Sequence, residues 1–399
     1  MKTRFHIYLA LIIFFSLFAD HQSLAANEII QANPKSPSPK AVCMPGVYTS
    51  APGDCILVGP AAYLTKIAAS GLTLPLTPLA FTPIDPSLGN VNVRYAEVRN
   101  ADAPIFGSVE DAVKYKKKSA IQTLNGQTVY ISYTDEQEVD GKKLYMVGPN
   151  TWMTGNDLSR IGALPRSQGI IFQQTPATAF GWIITYFAPT PQIETKRTPG
   201  LENSDYTGRL LTLYDIVQIF SEEQIGDELW YMIGPDEWIQ QKYVAKVTPN
   251  PEPPKGVVNQ RWIDINLYEQ TLAVYDKRQL VFATIIASGS DPFWTRPGLF
   301  QIYNKLDTTP MTGAFEADRS DAYYLEDVPW TMYFDEARAL HGAYWRAKMG
   351  YPQSHGCVNL AVGDARWIFE WAQNGDWVYV WDPSGQTPTD PSLYGSGGY

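Results

Sequence analysis

The chain has 399 residues, 45% of them hydrophobic and only 18% charged, with a formal net charge of −10. That length allows about two or three domains, and the apolar share is enough for a sizeable core. The acidic balance excludes a broad nucleic-acid footprint, and the composition excludes collagen, a coiled coil and a multi-span membrane protein.

Lys2 and Arg4 precede an apolar run from Ile7 to Ala19, and Ser23-Leu24-Ala25-Ala26 then offers small residues for cleavage. A charged start, a short apolar stretch and a small-residue site describe a secretory signal peptide over residues 1–25, with an uncleaved anchor as the alternative. The apolar run is shorter than the ~20 residues that span a bilayer. No later stretch is long enough, so the cleaved chain is expected to be exported with no stable membrane span. Residues 26–92 form a Pro/Gly-rich N-terminal segment holding Cys43 and Cys55. Outside the cytoplasm two such cysteines most simply form a disulfide.

An internal repeat follows. Leu144-Tyr145-Met146-Val147-Gly148-Pro149 and Trp152 match Trp230-Tyr231-Met232-Ile233-Gly234-Pro235 and Trp238. The copies occupy 93–162 and 178–247. Each has short runs of alternating polarity, such as Val129-Tyr130-Ile131-Ser132-Tyr133, broken by turn residues. Period-two alternation with frequent turns predicts short antiparallel strands in a small barrel or sandwich. The Gly-Pro-x-x-Trp element is similar to the end of SH3-like barrels of bacterial wall proteins, which implies contact with a cell wall polymer; a spacer with core tryptophans is the other reading.

Residues 248–256 (Thr248 to Gly256) are a Pro-rich linker, semi-rigid and extended. Beyond it, Trp262–Leu267, Leu272–Tyr275 and Leu280–Ala287 read as strands, and Asp364–Gln373 as a helix stopped by Asn374-Gly375. The fold class is mainly β, with one or two short helices in 257–383 and a flexible tail over 384–399.

The chemistry gathers at Ser354-His355-Gly356-Cys357-Val358-Asn359. Cys357 is left without a partner by the other two cysteines. His341 and His355, the only histidines beyond the signal segment, lie 16 and 2 residues before it. A Cys nucleophile needs a base, a group that holds the base, and oxyanion donors. Gly356 permits close backbone approach. Cys357 is expected in the loop just before the helix, whose N-terminus would lower its pKa and lend N–H donors. Spacing does not decide which histidine is the base. A buried inert thiol, a zinc site using Cys357, His355, His341 and Asp364, and a sortase-like site using Arg366 are the alternatives. Nothing similar to the sortase Thr-x-x-Thr-Cys element precedes Cys357, and a zinc site lacks a fourth Cys or His.

His341-Gly342, then a gap, then Ser-His-Gly-Cys-Val-Asn resembles the signature of the L,D-transpeptidase catalytic domain of the YkuD type. Thr295-Arg296-Pro297-Gly298-Leu299-Phe300 resembles that family's Thr-Pro-x-Gly-x-Phe element. The resemblance covers 257–383. It implies Cys357 as nucleophile, His341 as general base and the Gly342 carbonyl as its orienting group. Gly356 and Cys357 N–H groups would form the oxyanion hole, and His355, Ser354 and Asn359 would line or brace the site. Tyr324 and Trp330 would belong to a flap over the cleft. Many family members have Arg where this chain has Asn359. The implied partners are peptidoglycan stem peptides, as donor and acceptor, with no metal or organic cofactor. The implied reaction is thioester formation with release of D-Ala, then a 3-3 cross-link; L,D-carboxypeptidase action on the same stems and a non-catalytic wall-binding protein are the alternatives.

Overall fold

The computed structural model describes residues 39–395, apart from 51, 73, 125–127, 201, 203–204 and 315–321. The expected signal peptide lies outside the described residues. The chain divides into two compact units, Met1–Thr65 and Lys66–Tyr399. In the first, β1 (Ala41–Val42) and β2 (Cys55–Ile56) pair in parallel. Cys43 and Cys55 form a disulfide with Cα atoms 5.0 Å apart. A helix, α1 (Pro60–Ala69), spans the boundary between the two units. No helix among the described residues is long and apolar enough to cross a membrane.

The second unit is mainly β. Its first module runs through β4 (Arg94–Val98), β5 (Ala103–Phe106), α2 (Val109–Lys114), β6 (Ala120–Leu124), β7 (Thr128–Tyr133), β8 (Asp135–Val139), β9 (Lys142–Gly148), β10 (Thr151–Thr154) and β11 (Leu158–Arg160), after a short strand β3 (Thr82–Pro83). After β12 (Ile170–Ile171) the second module runs through β13 (Ala179–Ile183), β14 (Gln192–Lys196), β15 (Tyr206–Thr212), β16 (Ile216–Ile219), β17 (Ser221–Ile225), β18 (Glu228–Gly234), β19 (Glu237–Gln240) and β20 (Val244–Val247). The two modules share one strand order. Sheet β6-β5-β10-β9-β8 corresponds to β15-β14-β19-β18-β17, and β11-β4-β7 to β20-β13-β16. The repeated Tyr-Met-x-Gly hairpins are β9–β10 and β18–β19, and their Trp152 and Trp238 are buried.

The C-terminal region contains β21 (Arg261–Asn266), β22 (Thr271–Asp276), β23 (Gln279–Ile285), β24 (Gly298–Gln301), β25 (Asn304–Gly313), β26 (Tyr323–Asp335), β27 (Arg338–Gly342), β28 (Val358–Leu360), α3 (Val362–Trp371) and β29 (Trp377–Trp381). Strand alternation divides the side chains between faces. Ile263, Ile265, Val378 and Val380 enter one core with Met332, Leu340, Val358 and Leu360, roofed by Ala365 and Ile368 of α3, while Trp262 and Tyr275 enter another.

Two strand pairings join what the sequence presents as separate segments. β7 of the first module pairs in parallel with β26, with Thr128 opposite Tyr323 and Tyr130 opposite Leu325. That gives a sheet β11-β4-β7-β26-β27-β28, with β25 alongside β26. β3 and β12 extend the other sheet, β24-β29-β21-β22-β23-β12-β3. Thr82–Pro83, from the Pro-rich stretch, is therefore a strand of the sheet that carries β21–β23. The segment expected as a flexible tail is held at Tyr394, which is buried and whose carbonyl accepts from Arg338 Nη2 at 3.0 Å.

Candidate active site

β27 and β28 lie side by side in parallel, with Leu340 opposite Val358, His341 opposite Asn359 and Gly342 opposite Leu360. Period two sends Leu340, Val358 and Leu360 into the core. His341 and Asn359 share the other face. Cys357, one residue before β28, joins them in lining a pocket of about 360 Å³ with Ser354, His355, Tyr323, Trp345 and Arg346. The pairing thus brings together two residues 16 apart in sequence.

His341 is almost fully buried, at 1% exposure. Its Nδ1 lies 3.4 Å from the Gly342 carbonyl oxygen. A carbonyl can only accept, so this contact calls for the proton on Nδ1 and leaves Nε2 as the base. Burial lowers the His341 pKa from 6.5 to about 4, despite the Gly342 contact, with the Arg346 charge adding to the drop. Trp345 stacks on the imidazole with centroids 5.6 Å apart.

The Cys357 thiol donates to the Ala337 carbonyl at 3.8 Å. Burial pushes its pKa up, and the Ala339 N–H and the Arg338 charge only oppose that. Both shifts favour the neutral forms, a thiol and an imidazole. This corrects the expectation of a helix-lowered thiol. β28 stands between Cys357 and α3, so Cys357 is at the start of a strand and not at the helix cap.

The turn before Cys357 is held from several sides. Ser354, itself buried, accepts from the Gly356 N–H at 3.2 Å and donates to the Cys357 carbonyl. Of the two expected oxyanion donors, the Gly356 N–H is therefore engaged by Ser354. Gly356 has φ +111°, which a side chain rarely tolerates, and a Cβ there would sit 3.2 Å from Arg338 Nε. Thr295, fully buried, donates to the Gly356 carbonyl and accepts from the Gly289 N–H, both at 2.9 Å. A Cβ on Gly289 would fall 2.1 Å from the Phe293 carbonyl, so this crossing of backbones requires glycine. Arg296 and Arg338 both bind Asp335, which fixes the start of β27 behind the turn.

The other expected site residues divide. His355 is exposed and lies against Tyr323 and Phe293, with centroids 5.8 and 5.3 Å away. Tyr324 and Trp330 do not line the pocket. Alternation along β26 turns Tyr324 toward the first module's core, and Trp330 packs on Phe369 and the Arg366 guanidinium. Tyr323 is the aromatic wall in their place. Arg366 pairs with Glu370 at 2.8 Å. Asp364 is a structural pin, accepting from Gln168 N–H, Gly169 N–H and Thr284 Oγ1 at 3.1, 2.9 and 2.7 Å. Among the described residues no group of three or more His, Cys, Asp or Glu is placed to hold a metal. Sequence reading missed Tyr323, Trp345, Arg346, Thr128 and Tyr130 in the pocket wall. Trp345 and Arg346 follow closely on His341-Gly342 and could have been found from that position; Thr128 and Tyr130 arrive through a long-range pairing that leaves no local signal.

Residues 260–380 match the family model YkuD, described as the L,D-transpeptidase catalytic domain. The chain is 23% identical over 135 residues to a putative L,D-transpeptidase, YciB, of Bacillus subtilis (strain 168), covering 27% of this chain and 59% of that protein's length. A crystal structure of an L,D-transpeptidase from Stackebrandtia nassauensis is 25% identical over 32% of this chain and 57% of its own, with a TM-score of 0.24. An NMR structure of the catalytic domain from the E. faecium L,D-transpeptidase is 24% identical over 32% of this chain and 100% of its own, with a TM-score of 0.28.

Proposed function

We propose that this protein is a cysteine-dependent L,D-transpeptidase of the cell wall, acting outside the cytoplasm on tetrapeptide stems of peptidoglycan. The observation that carries the reading is the shared pocket of Cys357 and His341, with His341 Nδ1 turned to the Gly342 carbonyl. In the first half-reaction His341 Nε2 takes the thiol proton as Sγ attacks the carbonyl carbon of the third stem residue. The bond to the terminal D-Ala nitrogen breaks, the imidazolium returns its proton to that amine, and a thioester remains. In the second, the side-chain amine of another stem attacks the thioester, gives its proton to His341, and leaves as a 3-3 cross-linked product with the thiol restored. The Cys357 N–H supplies an oxyanion donor, and the Gly356 N–H joins it if Ser354 releases it.

His355 and Tyr323 form one wall of the pocket, and Asn359 braces it beside His341. The proposed steps call for no metal or organic cofactor. The two β modules, whose SH3-like character is part of this proposal, also hold the chain against wall polymer. The experiment is incubation of the mature protein with a disaccharide-tetrapeptide and separation of the products. A dimer linked through two third-position residues, with D-Ala released, supports cross-linking. D-Ala with tripeptide only would replace it by the carboxypeptidase reading, in which water is the acceptor. Pull-down of the Cys357→Ala chain by isolated cell wall, with no turnover of stems by wild type, would replace both by a wall-binding role.

A further inference from the structure

The catalytic pocket contains a positive charge that the proposed chemistry does not use. Arg346 lines it beside Cys357, His341 and Trp345. Its Nη2 donates to the Gln353 carbonyl at 2.6 Å and its Nη1 approaches Gln353 Oε1 at 3.4 Å. Its Nε is buried with no hydrogen-bond partner, and among the described residues no carboxylate lies within ion-pair distance of it. Taking a guanidinium out of water without an anion is costly, and proteins rarely accept that cost at a purely structural position.

The wall facing this charge comes from the first β module. Thr128 and Tyr130 of β7 line the same pocket, brought there by the parallel pairing with β26. The Tyr130 ring lies 6.4 Å from Trp345 and 6.2 Å from Tyr344. The Tyr130 phenol is coupled electrostatically to Arg346 and to Glu97. Tyr351, also a phenol, is the other group that acts electrostatically on Arg346. The groups acting electrostatically on Arg346 are therefore phenols, Tyr130 and Tyr351, and Glu97 acts on Tyr130. Such a setting concentrates an anion's attraction to the guanidinium fork.

We propose that Arg346, walled by Tyr130 of the first module, is an anchor for a carboxylate of the donor peptide. It sets the donor's position against Sγ, and it makes the first module a structural part of the active site. The substrate identity rests on the function proposed above; the anion subsite does not. Two carboxylates of a tetrapeptide stem share this chemistry: the C-terminal one of the leaving residue and the side-chain one of the third residue.

Two experiments on the full mature chain test this. The first needs no peptide. Cys357, the chain's one cysteine outside the disulfide, is alkylated at matched pH by iodoacetate, which is anionic, and by iodoacetamide, which is neutral; in each, an S–C bond forms and iodide leaves. Wild type is expected to favour iodoacetate relative to Arg346→Gln by about 10- to 100-fold, the range for a hydrogen bond to a charged group. Arg346→Lys, which keeps the charge, restores part of the preference and controls for misfolding. Equal reagent ratios in wild type and Arg346→Gln overturn the proposal. The second compares kcat/KM for the tetrapeptide with that for its C-terminal amide and for its third-residue side-chain amide. Wild type loses at least about 10-fold on the amide whose carboxylate meets Arg346, and Arg346→Gln loses nothing further on that amide. Loss that persists in the variant overturns the proposal. An iodoacetate preference that vanishes in Arg346→Gln, with no stem turned over, upholds the anion subsite and overturns the transpeptidase reading instead.

Discussion

Thr295 and Gly356 meet through a buried hydrogen bond: the Thr295 hydroxyl donates to the Gly356 carbonyl at 2.9 Å while accepting from the Gly289 N–H at the same distance. One side chain thus ties the turn that presents Cys357 to Gly289, two residues beyond Ala287, which bonds Asn359 through both backbone groups at 3.0 Å. Thr295 of the Thr-Arg-Pro-Gly element thereby braces the turn that carries the thiol. Thr295→Val keeps the shape and removes both bonds. It should cost about 1–3 kcal/mol of stability for the two stranded groups. It should also lower the rate of acylation more than it raises KM. Denaturant unfolding alongside steady-state kinetics checks both.

The pH dependence follows from His341. Burial holds its pKa near 4, so the imidazole is mostly unprotonated at pH 6 and 5, the form the proposed base role needs. The acid limb of kcat/KM should therefore lie near pH 4 and not near the 6.5 of an exposed imidazole. On the other side, the Cys357 pKa is raised by burial. Its alkylation by iodoacetamide should rise with pH at a midpoint above the ordinary thiol value. An acid limb between pH 6 and 7 would contradict this account of the pair.

Neighbouring tyrosines on β26 should respond differently to truncation. Tyr323 lines the pocket and stacks on His355, whereas Tyr324 packs against the first module's core. Tyr323→Ala should raise KM for stem donors about tenfold or more with little change in thermal stability. Tyr324→Ala should lower the unfolding temperature with near-normal KM. Kinetics and melting curves of the two variants separate the roles.

Asp364 ties α3 to the segment before β12. Its carboxylate accepts two backbone N–H groups and the Thr284 hydroxyl, and burial raises its pKa to about 6. Asp364→Ala leaves those donors buried and unpaired, at a cost of about 2–4 kcal/mol. Asp364→Asn should cost less, because an oxygen acceptor remains. Neither change touches the thiol, so iodoacetamide should still label Cys357 in both folded variants.

Much of the site was legible because its chemistry is written in adjacent residues. His341 and His355 both fall within 16 residues of Cys357, and Thr295 carries a short motif. What escaped was set by pairing between distant segments. The three-residue strand Val358–Leu360 is too short to announce itself, and it exists because β27 and Ala287 flank it. Its presence moves Cys357 away from the helix end, and burial there raises the thiol pKa instead of lowering it. The parity of Tyr323 and Tyr324 depends on the register with β25 and β7, which alternation alone leaves open. The repeated hairpins were visible in sequence, but the joining of β7 to β26 was not, since parallel pairing across almost 200 residues has no local signature.

The most direct test is the intact mass of the mature protein after brief exposure to a disaccharide-tetrapeptide, beside Cys357→Ala. The account predicts a thioester adduct on wild type, equal to the stem less D-Ala, absent from the variant, and discharged when an acceptor amine is added. A wild-type protein with a free, alkylatable Cys357 that forms no adduct and releases no D-Ala would contradict it.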